Sequence, residues 1–186
     1  MSAFQTLYVT NREEWRRWLQ ENYRTASEIW LVYYRKHTSQ PRIAYNDAVE
    51  EALCFDWIDS ITKTIDDERY AQRFTPRKPR SSYSQTNKER LRRLIAQDKV
   101  IPEIVDKVKA VAGEEFNFPA DIRAALQANN QAWQNFQKYS EPYQRIRIAF
   151  IDTARKRPGE FEKRLNHLIR MCEQDKQYGF GIETYY

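Results

Sequence analysis

Ile29-Trp30-Leu31-Val32-Tyr33-Tyr34 is an unbroken run of six apolar and aromatic residues. It constrains the fold more than any other segment. Side chains of this kind fit a pleated backbone, and a run without alternation predicts a strand buried on both faces. Around it, strand and helix patterns alternate. Residues 4–9 form a short apolar strand candidate. Thr10 and Glu13 have the spacing of a capping box, in which a hydroxyl and a carboxylate satisfy free backbone N–H groups, and Trp15, Trp18 and Leu19 follow at helical spacing. Ala48, Val49, Ala52 and Leu53 predict an amphipathic helix starting near Tyr45.

From Trp57 to Ile65 the pattern alternates, with Trp57, Ile61 and Ile65 on one parity and Ser60, Thr62 and Thr64 on the other. This predicts a half-buried strand. Asp66-Asp67 is a turn candidate, and a returning strand runs from Arg69 to Thr75 with Tyr70 and Phe74 on its apolar face. A two-residue turn places Asp59 opposite Phe74; a three-residue turn places it beside Arg73 and Thr75. One residue of slip moves a side chain to the other face, so the pattern alone leaves both registers open. Beyond Asn87 the periodicity is helical throughout, with a break at Pro158-Gly159. The fold class expected is therefore α+β: a small mixed sheet with helices in the N-terminal half, then a C-terminal helical bundle. The expected divisions are an α/β domain at 1–98, which holds the hairpin from Trp57 to Thr75 and a basic connector, a helical region at 99–177, and a peripheral tail at 178–186.

Composition excludes several classes. The 186 residues include only 4 glycines, which argues against Rossmann and P-loop proteins, whose glycines admit phosphate close to the backbone. Mean hydropathy is −0.88, and no stretch approaches the roughly 18 apolar residues of a membrane span. The first residues have neither a basic region nor a long apolar region, so no signal peptide is expected and the location expected is cytoplasmic. Cys54 and Cys172 each sit in an apolar helical context and are expected as free buried thiols. With only His37 and His167 besides, a zinc site or a Cys-His relay is not expected. Asp66-Asp67-Glu68 lacks the spacing of a calcium loop. No cofactor is expected.

The net charge of +5 is concentrated. Between Arg73 and Arg93 lie eight cations (Arg73, Arg77, Lys78, Arg80, Lys88, Arg90, Arg92, Arg93) and one anion, Glu89. That local excess points to an anionic partner. Pro76 and Pro79 stiffen the connector, which lowers the entropy lost when cations order on an anion. Ser81, Ser84 and Asn87 then supply polar groups at a helix start, where free N–H groups favour negative charge. Ser84 equally fits a plain N-cap. The candidate ligand-binding residues are Trp57, Asp59, Arg73, Thr75, Arg77, Lys78, Ser81, Ser84 and Asn87. For Trp57 the alternatives are a core aromatic or a stacking wall. For Asp59 they are a structural contact, a ligand anchor or a general base. For Arg73, Arg77 and Lys78 the alternative is a solvated face.

Two strings carry a resemblance: Glu50-Glu51-Ala52-Leu53-Cys54-Phe55-Asp56-Trp57-Ile58-Asp59, and Arg73-Phe74-Thr75-Pro76-Arg77-Lys78-Pro79 followed by Ser81, Ser84 and Asn87. With the strand at Ile29 before them and the terminal helices after them, they resemble the bacterial YdeI/OmpD-associated, bacteriocin-protection family over nearly the full chain. The sequence departs from that pattern at Asp56 and Ser60, where glycines are usual, and at Tyr83, where Trp is usual. Side chains at Asp56 and Ser60 are expected to narrow the cleft that glycines leave open.

The resemblance implies a role in bacteriocin or stress protection. A small binding protein with a basic site for an anionic small molecule or peptide is the first reading. A nucleic-acid binder that uses the Arg73 to Arg93 segment, with Tyr70, Phe74 and Tyr83 as stacking platforms, is the second. An enzyme with Asp59 as acid or base and Arg73 stabilising an oxyanion is the third. Direct action on cationic peptides is electrostatically unfavourable, because the concentrated charge is also positive.

Overall fold

The structure is a computed structural model that describes residues 4–79 and 81–186. Arg80, one of the eight cations, and the first three residues lie outside the described residues. The chain divides into two compact units. The first holds residues up to Tyr83 together with Arg90–Ala112; the second holds Ser84–Glu89 and Gly113–Tyr186.

The first unit contains β1 (Thr6–Tyr8), α1 (Arg12–Asn22), β2 (Ile29–Tyr34), α2 (Tyr45–Cys54), β3 (Trp57–Thr64) and β4 (Arg69–Pro76). Most of α3 (Gln85–Ala96) and α4 (Pro102–Gly113) complete it. The strands form one mixed sheet in the order β1-β2-β4-β3, with β1 and β2 parallel and the other pairs antiparallel. The six-residue run is the inner strand β2, and every residue from Ile29 to Tyr33 is buried. Its Ile29, Leu31 and Tyr33 share a core with Trp15 and Leu19 of α1, Ala48, Val49 and Ala52 of α2, and Leu91 and Leu94 of α3.

The hairpin resolves the two open registers by combining them. Ile65 donates its N–H to the Arg69 carbonyl (3.0 Å), so the turn is the three-residue one, Asp66-Asp67-Glu68, and Thr62, Lys63 and Thr64 pair with Gln72, Ala71 and Tyr70. A bulge between Asp59 and Thr62 then shifts the pairing by one residue, and Asp59 faces Phe74 after all. The same bulge overturns the parity expected for β3. Trp57 stays buried, but Ile61 and Ile65 move to the other face and are 60% and 37% exposed. β3 is an edge strand, where such a shift costs little pairing.

The start of α1 also differs by one residue from expectation. Asn11, not Thr10, is the N-cap and accepts from the Glu14 N–H (2.9 Å), while the Glu14 carboxylate accepts from the Thr10 N–H (2.8 Å). An amide oxygen caps as well as a hydroxyl, so the neighbouring Asn competes for the position. Helices α1, α2 and α3 are tied by ions as well as by packing. Arg12 bonds to Asp47, Glu50 and Glu51 at 3.0, 3.0 and 2.9 Å, Arg16 to Glu51 at 2.8 Å, and Arg93 also to Glu50. Glu50 and Glu51 are buried, and burial of a carboxylate is tolerated because it is paired.

The second unit contains the first residues of α3 and then α5 (Ala120–Gln127), α6 (Asn130–Lys138), α7 (Glu141–Asp152) and α8 (Glu160–Glu173). Ile122, Leu126, Ala132, Phe136, Ile148, Ile151, Leu168 and Cys172 form its core. Glu89 in α3 is buried against Arg145 of α7, with contacts of 2.7 and 3.0 Å. No strand lies beyond residue 76 among the described residues. The boundary expected at residue 98 is displaced, since α4 packs Val108 and Ala112 into the first core. The tail expected at the periphery is packed as well. Ile182 and Tyr185 are buried with Tyr143 and Ile146 in a small second cluster, because an aperiodic tail can still bury single large side chains.

Candidate ligand-binding site

The nine candidate residues do not form one site within either unit. Trp57 is a core aromatic: it is fully buried, meets Trp18 edge-on at 5.7 Å and donates its Nε1–H to the Tyr23 carbonyl (3.2 Å). Arg73 and Asp59 lie on opposite faces of the sheet, because Asp59 faces Phe74 and Arg73 is one residue away. The acid–oxyanion pairing of the third reading therefore does not form. Arg73 instead bonds through Nε and Nη2 to Glu28, and the Glu28 carboxyl is held below its usual range by the Trp30 indole N–H and by Arg73. Thr75 is half-buried opposite Ile58 on that same face.

Arg77 is buried and holds the connector together. It donates to the Ser82 carbonyl (2.8 Å) and to the Ser81 hydroxyl (3.2 Å), and its guanidinium lies 3.6 Å from the centre of the Tyr83 ring. The Ser81 hydroxyl donates to the Lys78 carbonyl (2.8 Å), and the Lys78 side chain is exposed. Ser84 and Asn87 belong to the second unit, where the Ser84 hydroxyl accepts from the Asn87 N–H (3.3 Å) as an N-cap of α3. Several other cations of the basic segment are engaged within their own units. Lys88 pairs with Glu114, Arg93 with Glu50, Arg90 donates to the Asn46 side chain (2.9 Å), and Arg92 donates to the Ala112 carbonyl (2.7 Å).

Asp56 and Tyr83 meet each other. Asp56 follows α2 in the left-handed region (φ 57°), the conformation in which glycine is usual. Its carboxylate accepts from the Tyr83 hydroxyl (2.7 Å) and pairs with Lys107, and its carbonyl accepts from the Arg77 N–H (2.9 Å). Burial first, and the Asp56 contact second, push the Tyr83 phenol up.

Asp59 is the candidate that does gather partners. Register puts it on the helix-covered face with Gln72, Tyr70 and Tyr33. Its Oδ2 accepts from the Tyr45 hydroxyl (2.9 Å) and from Gln72 Nε2 (2.8 Å), while its Oδ1 has no hydrogen-bond partner among the described residues. Tyr45 opens α2, which packs over that face, and Arg42 just before it reaches the Tyr70 hydroxyl at 3.4 Å. Tyr33 and Tyr70 stack at 5.2 Å with an 11° tilt. The Tyr33 hydroxyl is buried and has no hydrogen-bond partner among the described residues. Burial raises its pKa, reinforced by Tyr70, Tyr45 and Asp59 and opposed by Arg42. Burial and Asp59 push the Tyr45 phenol up to about 12. The cluster thus offers an unshared carboxylate oxygen, an unpartnered phenol and a guanidinium.

Sequence reasoning found Asp59 and missed Tyr33, Tyr45, Arg42 and Gln72. The available signal was that Tyr33 and Tyr70 share parity with core positions, which a correct register turns into a stacked pair beside an acid. Among the described residues no group of three or more His, Cys, Asp or Glu side chains could hold a metal ion, and no helix is long and apolar enough to cross a membrane.

Two family models match the chain. A domain of unknown function, DUF8412, matches residues 7–107, more than half of the chain, and a model described as "Bacteriocin-protection, YdeI or OmpD-Associated" matches residues 115–175. The resemblance to the second family is therefore found over part of the chain instead of nearly all of it. The two strings that suggested it lie inside the first match. No curated protein and no solved structure matches the chain.

Proposed function

We propose, for a chain that belongs to the DUF8412 family and carries a YdeI/OmpD-associated segment at residues 115–175, that it is a ligand-binding protein whose first unit holds a small anionic ligand at the Asp59 cluster. One observation carries this reading: the Tyr33 hydroxyl is buried with no partner among the described residues, on the same face as Asp59 and within the fields of Asp59 and Arg42. A buried polar group without a partner is costly, and a ligand that supplies one recovers that cost. Arg42 and Tyr33 suit a carboxylate or similar anion, and Asp59 Oδ1 suits a neighbouring donor such as an ammonium. The ligand class is thus a small carboxylate with an ammonium beside it, as in amino-acid zwitterions.

The protective role printed for the second family enters as part of this proposal, exerted by holding such a ligand. Capture of a cationic peptide by a chain of net charge +5 works against electrostatics. A cytoplasmic setting belongs to the same proposal and is supported by two free, buried cysteines. The nucleic-acid alternative lacks a comparable observation, since Phe74 is fully buried, Tyr70 stacks on Tyr33 and Tyr83 lies under Arg77.

Calorimetric titration with glycine, acetate and methylammonium tests the reading. Glycine should bind more tightly than either half. Tyr33→Phe should fold normally and weaken glycine binding about tenfold, the value of one buried hydrogen bond. Absence of glycine binding, or equal affinity in Tyr33→Phe, would refute it.

A further inference from the structure

Arg147 is the most anomalous charge in the second unit. It lies in the middle of α7 and is 5% exposed, yet no ion pair to it occurs among the described residues, and its Nε is fully buried with no hydrogen-bond partner among them. Two other arginines of this unit are paired: Arg145, two residues earlier, by Glu89, and Arg164 by Glu160 at 2.7 Å. Burying a guanidinium without a counter-charge is expensive.

What surrounds Arg147 is aromatic and donor-rich. Its guanidinium lies 3.9 Å from the centre of the Tyr178 ring and 4.8 Å from that of Phe150. Arg164 covers the same Phe150 ring at 3.8 Å. The His167 ring meets Tyr178 edge-on at 4.5 Å, and its Nδ1 is 2.9 Å from Arg170 Nη2. The His167 pKa is lowered by burial and by the charges of Arg170 and Arg147, a sign of a locally positive field. The Tyr178 hydroxyl is buried with no partner that meets hydrogen-bond geometry among the described residues. At Gly179 the backbone comes so near that a Cβ there would lie 3.1 Å from Arg147 Nη1.

We infer that Arg147, with Tyr178, forms a binding site for a small oxyanion, a phosphate or carboxylate group, in the second unit. Such a group would supply the counter-charge that the guanidinium lacks and an acceptor for the phenol, and a guanidinium fork matches an oxyanion in bidentate fashion. The site is independent of the Asp59 cluster, because it uses other residues in the other unit.

The test uses full-length protein titrated with sodium phosphate and, separately, sodium acetate, against sodium chloride at equal ionic strength. The readout is the proton NMR signal of the two histidines. His167 should shift saturably and its pKa should rise with the anion bound, while His37, in the first unit, should not respond. Arg147→Met removes a buried unpaired charge and should fold at least as stably as wild type without anion, but lose the response. Tyr178→Phe keeps the ring and should weaken binding about tenfold. Tyr33→Phe should leave the response intact, which separates this site from the one in the first unit. Saturation by phosphate or by acetate supports the inference and assigns the oxyanion. A response to neither, or an unchanged response in Arg147→Met, overturns it.

Discussion

Removing the hydroxyl of Tyr83 should reverse the effect of restoring glycine at position 56. Asp56 adopts φ 57°, a conformation that costs a non-glycine residue roughly 1–2 kcal/mol. Against that strain stands a 2.7 Å hydrogen bond from the Tyr83 hydroxyl to its carboxylate, and a pair with Lys107. A hydrogen bond to a charged group contributes about 1.5–3 kcal/mol when buried, and a half-exposed ion pair about 0–1 kcal/mol. In the wild-type background Asp56→Gly loses both and regains the strain, a net loss of about 1 kcal/mol. In the Tyr83→Phe background the hydrogen bond is already gone, so Asp56→Gly should be neutral or stabilising by up to ~1 kcal/mol. The double-mutant cycle should therefore show a coupling of at least ~1 kcal/mol. Urea unfolding followed by tryptophan fluorescence reads the right unit, since Trp15, Trp18, Trp30 and Trp57 are in the first and only Trp133 is in the second. Equal losses for Asp56→Gly in both backgrounds would show that positions 56 and 83 are energetically independent, and the reasoning would fail.

Arg12→Ala should cost about 2–4 kcal/mol, because it leaves two buried carboxylates each with one partner fewer; chemical denaturation checks this. Ile61→Thr should change stability by no more than about 0.5 kcal/mol, since Ile61 is 60% exposed, and a larger loss would contradict the bulge. Ultraviolet titration should find the Tyr45 phenol near pH 12 and lower in Asp59→Asn. Because that pKa is raised above the unfolded value, its contribution to stability is complete below about pH 10 and is lost as pH rises toward 12.

The element order was legible because each element in the first unit has a distinct period or run, and β2 more than any. What failed was local. The bulge after Asp59 has no composition signal, and it alone moves Ile61 and Ile65 out of the core. The shift of the cap from Thr10 to Asn11 reflects two adjacent residues that both cap well. Charge concentration along the chain was read as an anion site, but Arg73, Lys88 and Arg93 meet carboxylates distant in sequence, and no linear reading anticipates that compensation. Arg147 is illegible in the sequence for the converse reason. Phe150 fits the apolar period of α7 and is 43% exposed, whereas Arg147 breaks the period and is buried.

The most direct test of the account is an NMR titration of protein labelled at the tyrosine ring carbons, with glycine as the probe. The account predicts saturable shifts at Tyr33, Tyr45 and Tyr70 together, with Tyr83 and Tyr143 unmoved, and loss of the shifts at Tyr45 and Tyr70 in Asp59→Asn. Shifts spread evenly over the tyrosines, or none at Tyr33, would contradict it.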